Sequence, residues 1–209
     1  MDPSAEDPTT KGAEAAAILR AQEGDLAAFN SLVERHQTAV YNLCLRMLGA
    51  PQPAEDAAQD AFINAYRHLH TFRGGAFRSW LFRIAANACY DEMRRRKSRA
   101  ASSLDEPHGE DDRRIDIPAA GPSMEEHAEN TELQAALTAA LARLPDEQRL
   151  AIILCDVQGF DYAEIARVTR SSLGTVKSRI NRGRARLRSI LLERAELLPS
   201  RFRQTGEDK

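Results

Sequence analysis

The sequence predicts an all-α fold of two small helical domains joined by a flexible linker, the second domain containing a helix-turn-helix. Apolar residues recur with helical spacing along most of the chain, and no stretch alternates with the period of a β-strand. A polar segment rich in Ser, Pro, Gly and Asp separates two apolar regions of a 209-residue chain. We therefore expect a flexible N-terminal tail (1–24), a first domain (25–97), an acidic and polar linker (98–127), a second domain (128–198) and a C-terminal tail (199–209).

Three helices are predicted in the first domain. The first begins after the capping residue Asp25 and ends at Gly49, and the second follows Pro53. A glycine-containing loop at 72–76 leads into a third helix over about 77–97. Short connections allow three such helices to bury one shared core.

The second domain carries the pattern of a helix-turn-helix. Asp161 and Glu164 have the spacing of a capping box, which opens a short helix. A turn follows, and either Ser171 or Ser172 caps a longer helix. Arg170 stands in the turn, where many helix-turn-helix proteins have glycine, so the match to the general pattern is imperfect.

Charge distribution points to DNA at the longer helix. The formal net charge of the whole chain is only −2, yet residues 167–188 contain eight basic residues and no acid. Unrelieved like charge on a helix costs stability, and phosphates would relieve it with release of counterions. The alternative is an ordinary basic surface helix, but the adjacent turn pattern favours DNA binding.

A similar pattern lies in the first domain. No acid occurs between Asp60 and Asp91, and basic residues there alternate with aromatic ones. This mixture suits unstacked single-stranded bases, although Phe77 and Trp80 have the spacing of core residues. The polar face of the third helix is the better candidate surface, because Asn87 there carries both a donor and an acceptor.

These segments resemble the small, extracytoplasmic-function class of bacterial RNA polymerase sigma factors. Residues 24–49 (GDLAAFNSLVERHQTAVYNLCLRMLG) and 54–96 (AEDAAQDAFINAYRHLHTFRGGAFRSWLFRIAANACYDEMRRR) resemble sigma region 2. Residues 144–189 (LPDEQRLAIILCDVQGFDYAEIARVTRSSLGTVKSRINRGRARLRS) resemble region 4. The resemblance implies an alternative sigma factor that binds core RNA polymerase and recognises the −10 and −35 elements of promoter DNA.

The resemblance also implies site residues. Polymerase docks on one face of the second helix, here Asp56, Gln59, Asp60 and Asn64. The −10 element is read by a loop pocket and the helix after it, here Phe72, Arg73, Gly74, Gly75, Phe77, Arg83 and Asn87. The −35 element meets the longer helix of region 4, here Ser172, Thr175, Lys177, Ser178, Arg179 and Arg182. The class further implies an anti-sigma factor as a partner.

The linker is long enough for this role. Its 30 residues reach at most about 100 Å when extended, which exceeds two DNA turns of about 35 Å each. The two domains can therefore lie on separate promoter elements of one duplex.

Other function classes are disfavoured. No apolar run is long enough to span a membrane and the N-terminus lacks a secretory signal, so we expect a cytoplasmic protein. The three cysteines and five histidines form no metal-binding spacing, and no catalytic motif or phosphate-binding loop is present. We expect no enzyme activity, cofactor, metal or small-molecule substrate. The rival interpretation is a stand-alone helix-turn-helix regulator, for which no dimerisation heptads or sensor domain are visible.

Overall fold

The computed structural model describes residues 8–102 and 124–193, and all of its regular elements in these ranges are helices, as the sequence predicts. Residues 103–123, which hold most of the expected linker, and the C-terminal tail over 199–209 lie outside the described residues. No helix in the two described ranges has the length and apolar character of a membrane span. The elements are α1 (Pro8–Gln22), α2 (Leu26–Leu48), α3 (Pro51–His68), a 3₁₀ turn (Leu69–Thr71), α4 (Phe77–Ser102), α5 (Met124–Ala142), α6 (Asp146–Ile152), a π-helical turn (Ile153–Val157), α7 (Tyr162–Thr169) and α8 (Leu173–Leu192).

Helices α2, α3 and α4 form the core of a first module. The carboxylate of Asp25 accepts a hydrogen bond from the Ala28 amide and so caps α2, while Gly49 ends the helix in the left-handed conformation. Helix α3 presents a row of buried alanines to its neighbours, and small side chains let helices approach closely. The large side chains of this core are Leu32, Val40, Leu43, Met47, Leu69, Leu81 and Phe82.

Residues 8–22, which we expected to belong to a flexible tail, instead form α1 and pack on α2. Ile18 and Ala21 are buried, and a Glu14 carboxylate oxygen lies 2.7 Å from Nε2 of the buried His36. The sequence pattern of α1 is weak, because it has few large apolar residues and Leu19 faces solvent. Contacts with residues distant in the chain, rather than its own periodicity, hold this helix in place.

The second module is built on the crossing of α6 and α8. Gly183 of α8 is buried, and a Cβ atom at this position would lie 2.8 Å from Cγ1 of Ile152. The absence of a side chain therefore allows the two helices to touch. Ile153, Leu154, Ile165, Val176 and Ile180 complete the core around this crossing.

The two modules also touch each other. Helix α4 packs against α7, and α2 packs against α5. Arg149 of α6 is buried, and its Nη1 donates a hydrogen bond of 2.6 Å to the Met47 carbonyl of α2. Periodicity assigns the helices to two domains, but it carries no information about this contact.

The cysteines are free thiols. Cys44 and Cys89 are buried in the first module, whereas Cys155 is half-buried in the second. A hydrogen bond with Cys44, together with burial, raises the pKa of the Cys89 thiol and keeps it protonated.

Because α1 depends on the Glu14–His36 contact, its stability should depend on pH. The hydrogen bond from His36 holds the pKa of Glu14 below its ordinary value of 4.5. A lowered folded-state pKa stabilises the fold above the unfolded-state value, and this contribution is lost as pH falls through the folded-state value. We expect Glu14→Gln to lower the free energy of unfolding by about 1 kcal/mol at pH 6, with a smaller difference at pH 3.5.

Urea unfolding at the two pH values measures this effect. Glu23→Gln, which removes an exposed carboxylate just after α1, is the matched control and should change stability little at either pH. A loss for Glu14→Gln that is the same at both pH values would contradict the assignment.

Candidate nucleic-acid interface

The loop between the 3₁₀ turn and α4 borders a cavity of about 600 Å³. Gly74 and Gly75 have φ values of 94° and 90°, a conformation that favours glycine, and they leave the backbone open to close approach. The volume is in the range of small-ligand pockets. The lining residues are Thr71, Phe72, Arg73, Gly74, Gly75, Ala76, Ser79, Trp80, Arg83 and Arg167.

Three aromatic rings pack against one another next to this loop. Phe77 is buried, and its ring centroid lies 5.6 Å from that of Phe72 and 5.5 Å from that of Trp80. The ring of Phe77 belongs to the core, as its spacing indicates, and it does not line the cavity. Phe72, Arg73, Gly74, Gly75 and Arg83 all line this cavity.

Gln22 of α1 forms hydrogen bonds with the backbone at the start of the loop. Its Nε2 donates hydrogen bonds of 2.9 Å to the carbonyls of both Leu69 and Phe72, which bracket the 3₁₀ turn. Sequence reasoning missed this residue, because its partners are 47 and 50 positions away. Helix α1 therefore helps to position the loop that lines the cavity.

Asn87 lies outside the cavity. It is exposed on α4 and lines a separate cleft with Tyr90, Asp91, Met93, Arg94, Lys97 and Asp146. Burial, reinforced by the nearby carboxylates of Glu147 and Asp146, raises the pKa of Tyr90 to about 12.

The polar face of α3 is largely open to solvent. Asp56 and Gln59 are exposed, and the half-buried Asp60 accepts a hydrogen bond of 3.2 Å from Arg95. Asn64 is half-buried on the same helix. Ile63 is 40% exposed here, and sequence reasoning missed it because apolar residues of an amphipathic helix are assigned to the core.

The helix-turn-helix forms as predicted. Asp161 and Glu164 make both hydrogen bonds of the capping box at the start of α7. Arg170 adopts the left-handed conformation (φ 50°, ψ 44°), so the turn has the geometry that glycine usually supplies. Ser172, not Ser171, caps α8 by accepting a hydrogen bond from the Thr175 amide.

The candidate DNA-binding residues of α8 fall into two groups. Lys177 and Arg182 are exposed, and Arg182 donates to the Ser178 hydroxyl. The hydroxyls of Ser172 and Thr175 are 2.9 Å apart at the exposed N-terminus of α8. Arg179 differs, since its side chain is only 18% exposed and its Nη2 lies 2.5 Å from the Glu147 carboxylate.

The structure thus has two helical modules, one with a loop cavity beside a basic and aromatic helix and one with a helix-turn-helix, and each carries a candidate surface for nucleic acid. The sequence profile of Sigma-70 region 2 matches residues 32–99, and that of Sigma-70, region 4 matches residues 134–187. With the relatives below, these matches show that the chain belongs to the extracytoplasmic-function (ECF) group of sigma-70 family RNA polymerase sigma factors.

Two relatives illustrate the similarity. The ECF RNA polymerase sigma factor SigE of Mycolicibacterium smegmatis is 41% identical over 171 residues, which is 80% of this chain and 64% of the relative. The chain thus spans slightly less than two thirds of that relative's length. SigW of Bacillus subtilis, also an ECF sigma factor, is 35% identical over 83% of this chain and 94% of its own.

Two solved structures share the fold. CnrH, in complex with the cytosolic domain of CnrY, has a TM-score of 0.64 and 28% identity, and the match covers 87% of this chain and 98% of CnrH. The sigma factor RpoE of Bartonella quintana, in complex with the anti-sigma factor NepR, also has a TM-score of 0.64 and 28% identity, covering 78% of this chain and 96% of RpoE.

We expect Gln22→Glu to loosen the loop at the cavity. The glutamate has the same shape but no N–H to donate, and its charge lies against two carbonyl oxygens. Hydrogen exchange of the Phe72 amide, which donates to the Leu69 carbonyl at 3.0 Å, should accelerate by about five- to tenfold, which corresponds to loss of hydrogen bonding worth about 1 kcal/mol. Gln37→Glu, at an exposed site on α2, is the control for added charge. Unchanged exchange in Gln22→Glu would show that the two hydrogen bonds do not hold the loop.

Proposed function

We propose that this protein is an alternative sigma factor that binds core RNA polymerase and directs promoter-specific initiation of transcription. One observation carries the proposal: a single chain holds both the loop cavity next to α4 and a helix-turn-helix whose second helix is basic and free of acids, each within a matched sigma region. Two modest DNA contacts on one chain reinforce each other through the tether.

Each surface has a role that suits its chemistry. The cavity beside Gly74 and Gly75 takes an unstacked base of the −10 element, with Arg73 and Arg83 near its phosphates. Asn87 reads a base edge next to it. The N-terminal half of α8 enters the −35 major groove, where Lys177 and Arg182 meet guanine or phosphate.

The proposed partners follow from these surfaces. The acidic face of α3, with Ile63 as an apolar contact, binds core polymerase. An anti-sigma factor is a further proposed partner, supported by the complex reported for the similar sigma factor of Bartonella quintana. The protein has no catalytic step, cofactor or small-molecule substrate of its own in this scheme, and it acts in the cytoplasm, where its polymerase partner works.

Complex formation with purified bacterial core RNA polymerase tests the proposal directly. On a sizing column at moderate salt we expect stoichiometric co-elution with core enzyme and weak binding of the free protein to duplex DNA. Failure to co-elute, together with tight duplex binding by the protein alone, would instead favour a stand-alone helix-turn-helix regulator.

We expect Asp60→Arg to weaken core binding by tenfold or more in a fluorescence titration, because it reverses the charge of the exposed face of α3. The double variant Asp60→Arg/Arg95→Asp exchanges the two charges and keeps their pairing within the module. It should bind as poorly as the single variant if Asp60 contacts polymerase. Recovery in the double variant would mean that the pair acts only in folding. Glu34→Arg, at an exposed acid on α2, should bind normally.

We expect Arg182→Ala to reduce transcription that depends on the −35 element by about tenfold and to leave core binding unchanged. The arginine is exposed on the half of α8 that enters the groove. Arg188→Ala removes the same charge from the far half of the helix and serves as the control. Equal losses for the two variants would show that only overall charge matters.

A further inference from the structure

Leu173, the first residue of α8, is an apolar side chain that the core does not use. It follows the cap at Ser172, and 57% of its surface is exposed. The same helix fills the core of the second module with Val176 and Ile180, which are fully buried. An apolar side chain left in water becomes favourable only when a partner covers it. Single exposed leucines are common in proteins, so the surroundings of Leu173 decide whether it has a partner.

The neighbours of Leu173 on the helix surface belong to the candidate DNA-binding face. Residues four positions apart in an α-helix lie in one row, and Leu173, Lys177 and Asn181 form such a row. All three side chains are exposed, and α8 contains no acidic residue. A helix that carries basic residues without acids favours nucleic acid over a protein surface as the partner of this leucine.

Gly174, next to Leu173, is a second observation that points to a ligand. A Cβ atom at this exposed position would lie 3.8 Å from the Ser172 Oγ, which is an ordinary contact distance. Packing within the protein therefore does not require glycine here, and Gly174 is not among the glycines with positive φ. Glycine in a helix costs stability relative to alanine. The absence of a side chain at this position allows another molecule to approach the backbone closely.

Thymine is the base that suits an apolar side chain in the major groove, because it alone presents a methyl group there. In a helix-turn-helix complex, the first residues of the second helix meet the base edges. Leu173 lies four positions before Lys177, about 6 Å along the helix axis, so it reaches a base pair close to the one that Lys177 contacts. Against cytosine, the leucine would cover an amino group and leave it without a hydrogen-bond partner.

We propose that Leu173 determines specificity in the −35 element by packing on the methyl group of a thymine, and that Gly174 allows α8 to come close enough for this contact. This inference rests on the proposed function. Lysine and arginine supply contacts to guanine and phosphate, whereas Leu173 adds a contact that depends on a single methyl group.

Selection from duplex DNA of random sequence identifies the thymine. Core polymerase carrying the parent protein, the variant Leu173→Ala or the control Leu192→Ala is mixed with the pool, and the retained duplexes are sequenced. Leu192 is also 57% exposed but lies at the far end of α8, so the control removes the same kind of side chain away from the groove. The parent and the control should select thymine at one position of the upstream element where Leu173→Ala shows no preference. Selection at the other positions should be the same in all three proteins.

Replacement of that thymine by deoxyuracil tests the contact at a single group. Deoxyuracil pairs with adenine as thymine does and lacks only the methyl group. In a fluorescence anisotropy titration, the replacement should weaken binding of the parent and the control by about three- to fivefold, as expected for the burial of one methyl group. It should leave the affinity of Leu173→Ala unchanged, because each change removes one half of the same contact.

Gly174→Ala separates binding from stability. Its thermal unfolding temperature should equal or exceed that of the parent, since there is space for the methyl group and alanine favours the helix. Its affinity for the selected duplex should nevertheless fall by about fivefold or more, as for loss of one base contact. Affinity equal to that of the parent would overturn the part of the proposal that concerns Gly174.

The proposal for Leu173 is wrong if the parent selects no thymine, if Leu173→Ala keeps the preference, or if deoxyuracil weakens both proteins equally. It is also wrong if Leu173→Ala selects the same bases but co-elutes less with core polymerase, because the leucine would then contact protein. Thermal unfolding confirms that each variant is folded. Co-elution of the parent with core polymerase is scored first. If it fails, the proposed function fails, and the same selection with the free protein still tests Leu173.

Discussion

The structure depends on the way that one buried guanidinium satisfies the ends of two helices. The last carbonyls of an α-helix have no partner within the helix, and a helix end that is buried without one costs stability. Arg149 donates to the carbonyls of Leu141, Ala142 and Leu144 at the end of α5, and to that of Met47 near the end of α2. Burial lowers the pKa of the guanidinium, and Asp146 at 3.3 Å counteracts this effect. The same side chain thus completes the second module and joins it to the first.

The sequence predicted local features well, because their causes lie within a few residues. The Asp25 cap, the Gly49 stop and the capping box at Asp161 and Glu164 each involve groups three or four positions apart. The structure also shows features that depend on contacts between residues far apart in the chain. Helix α1 is held by its packing on α2, and the two modules meet at the rings of Phe82 and Phe160, which lie 4.9 Å apart although the two residues are distant in the chain. The same holds for the candidate site. The glycines in the sequence predicted the loop, but the hydrogen bonds from Gln22 that hold it join distant residues and were not predicted.

Acidic side chains pair with some of the basic residues of α8, which the sequence alone does not show. Acids outside the run reach two of its members: Glu147 pairs with Arg179, and Asp156 pairs with Arg184. Glu147 lies in α6 and Asp156 in the π-helical turn that follows it, so folding of the second module pairs part of the positive charge of the run. Lys177 and Arg182 remain exposed, and their positive charge stays available to a phosphate.

The crossing at Gly183 fixes the direction of α8 relative to α6. The cap at Ser172 lies eleven positions before this point, which at 1.5 Å per residue is a lever of about 16 Å. A tilt of only about 10° at the crossing would displace the reading end by about 3 Å, close to the 3.4 Å spacing of neighbouring base pairs. In the proposed complex with promoter DNA, the close contact that this glycine allows therefore sets the position of α8 to within about one base step.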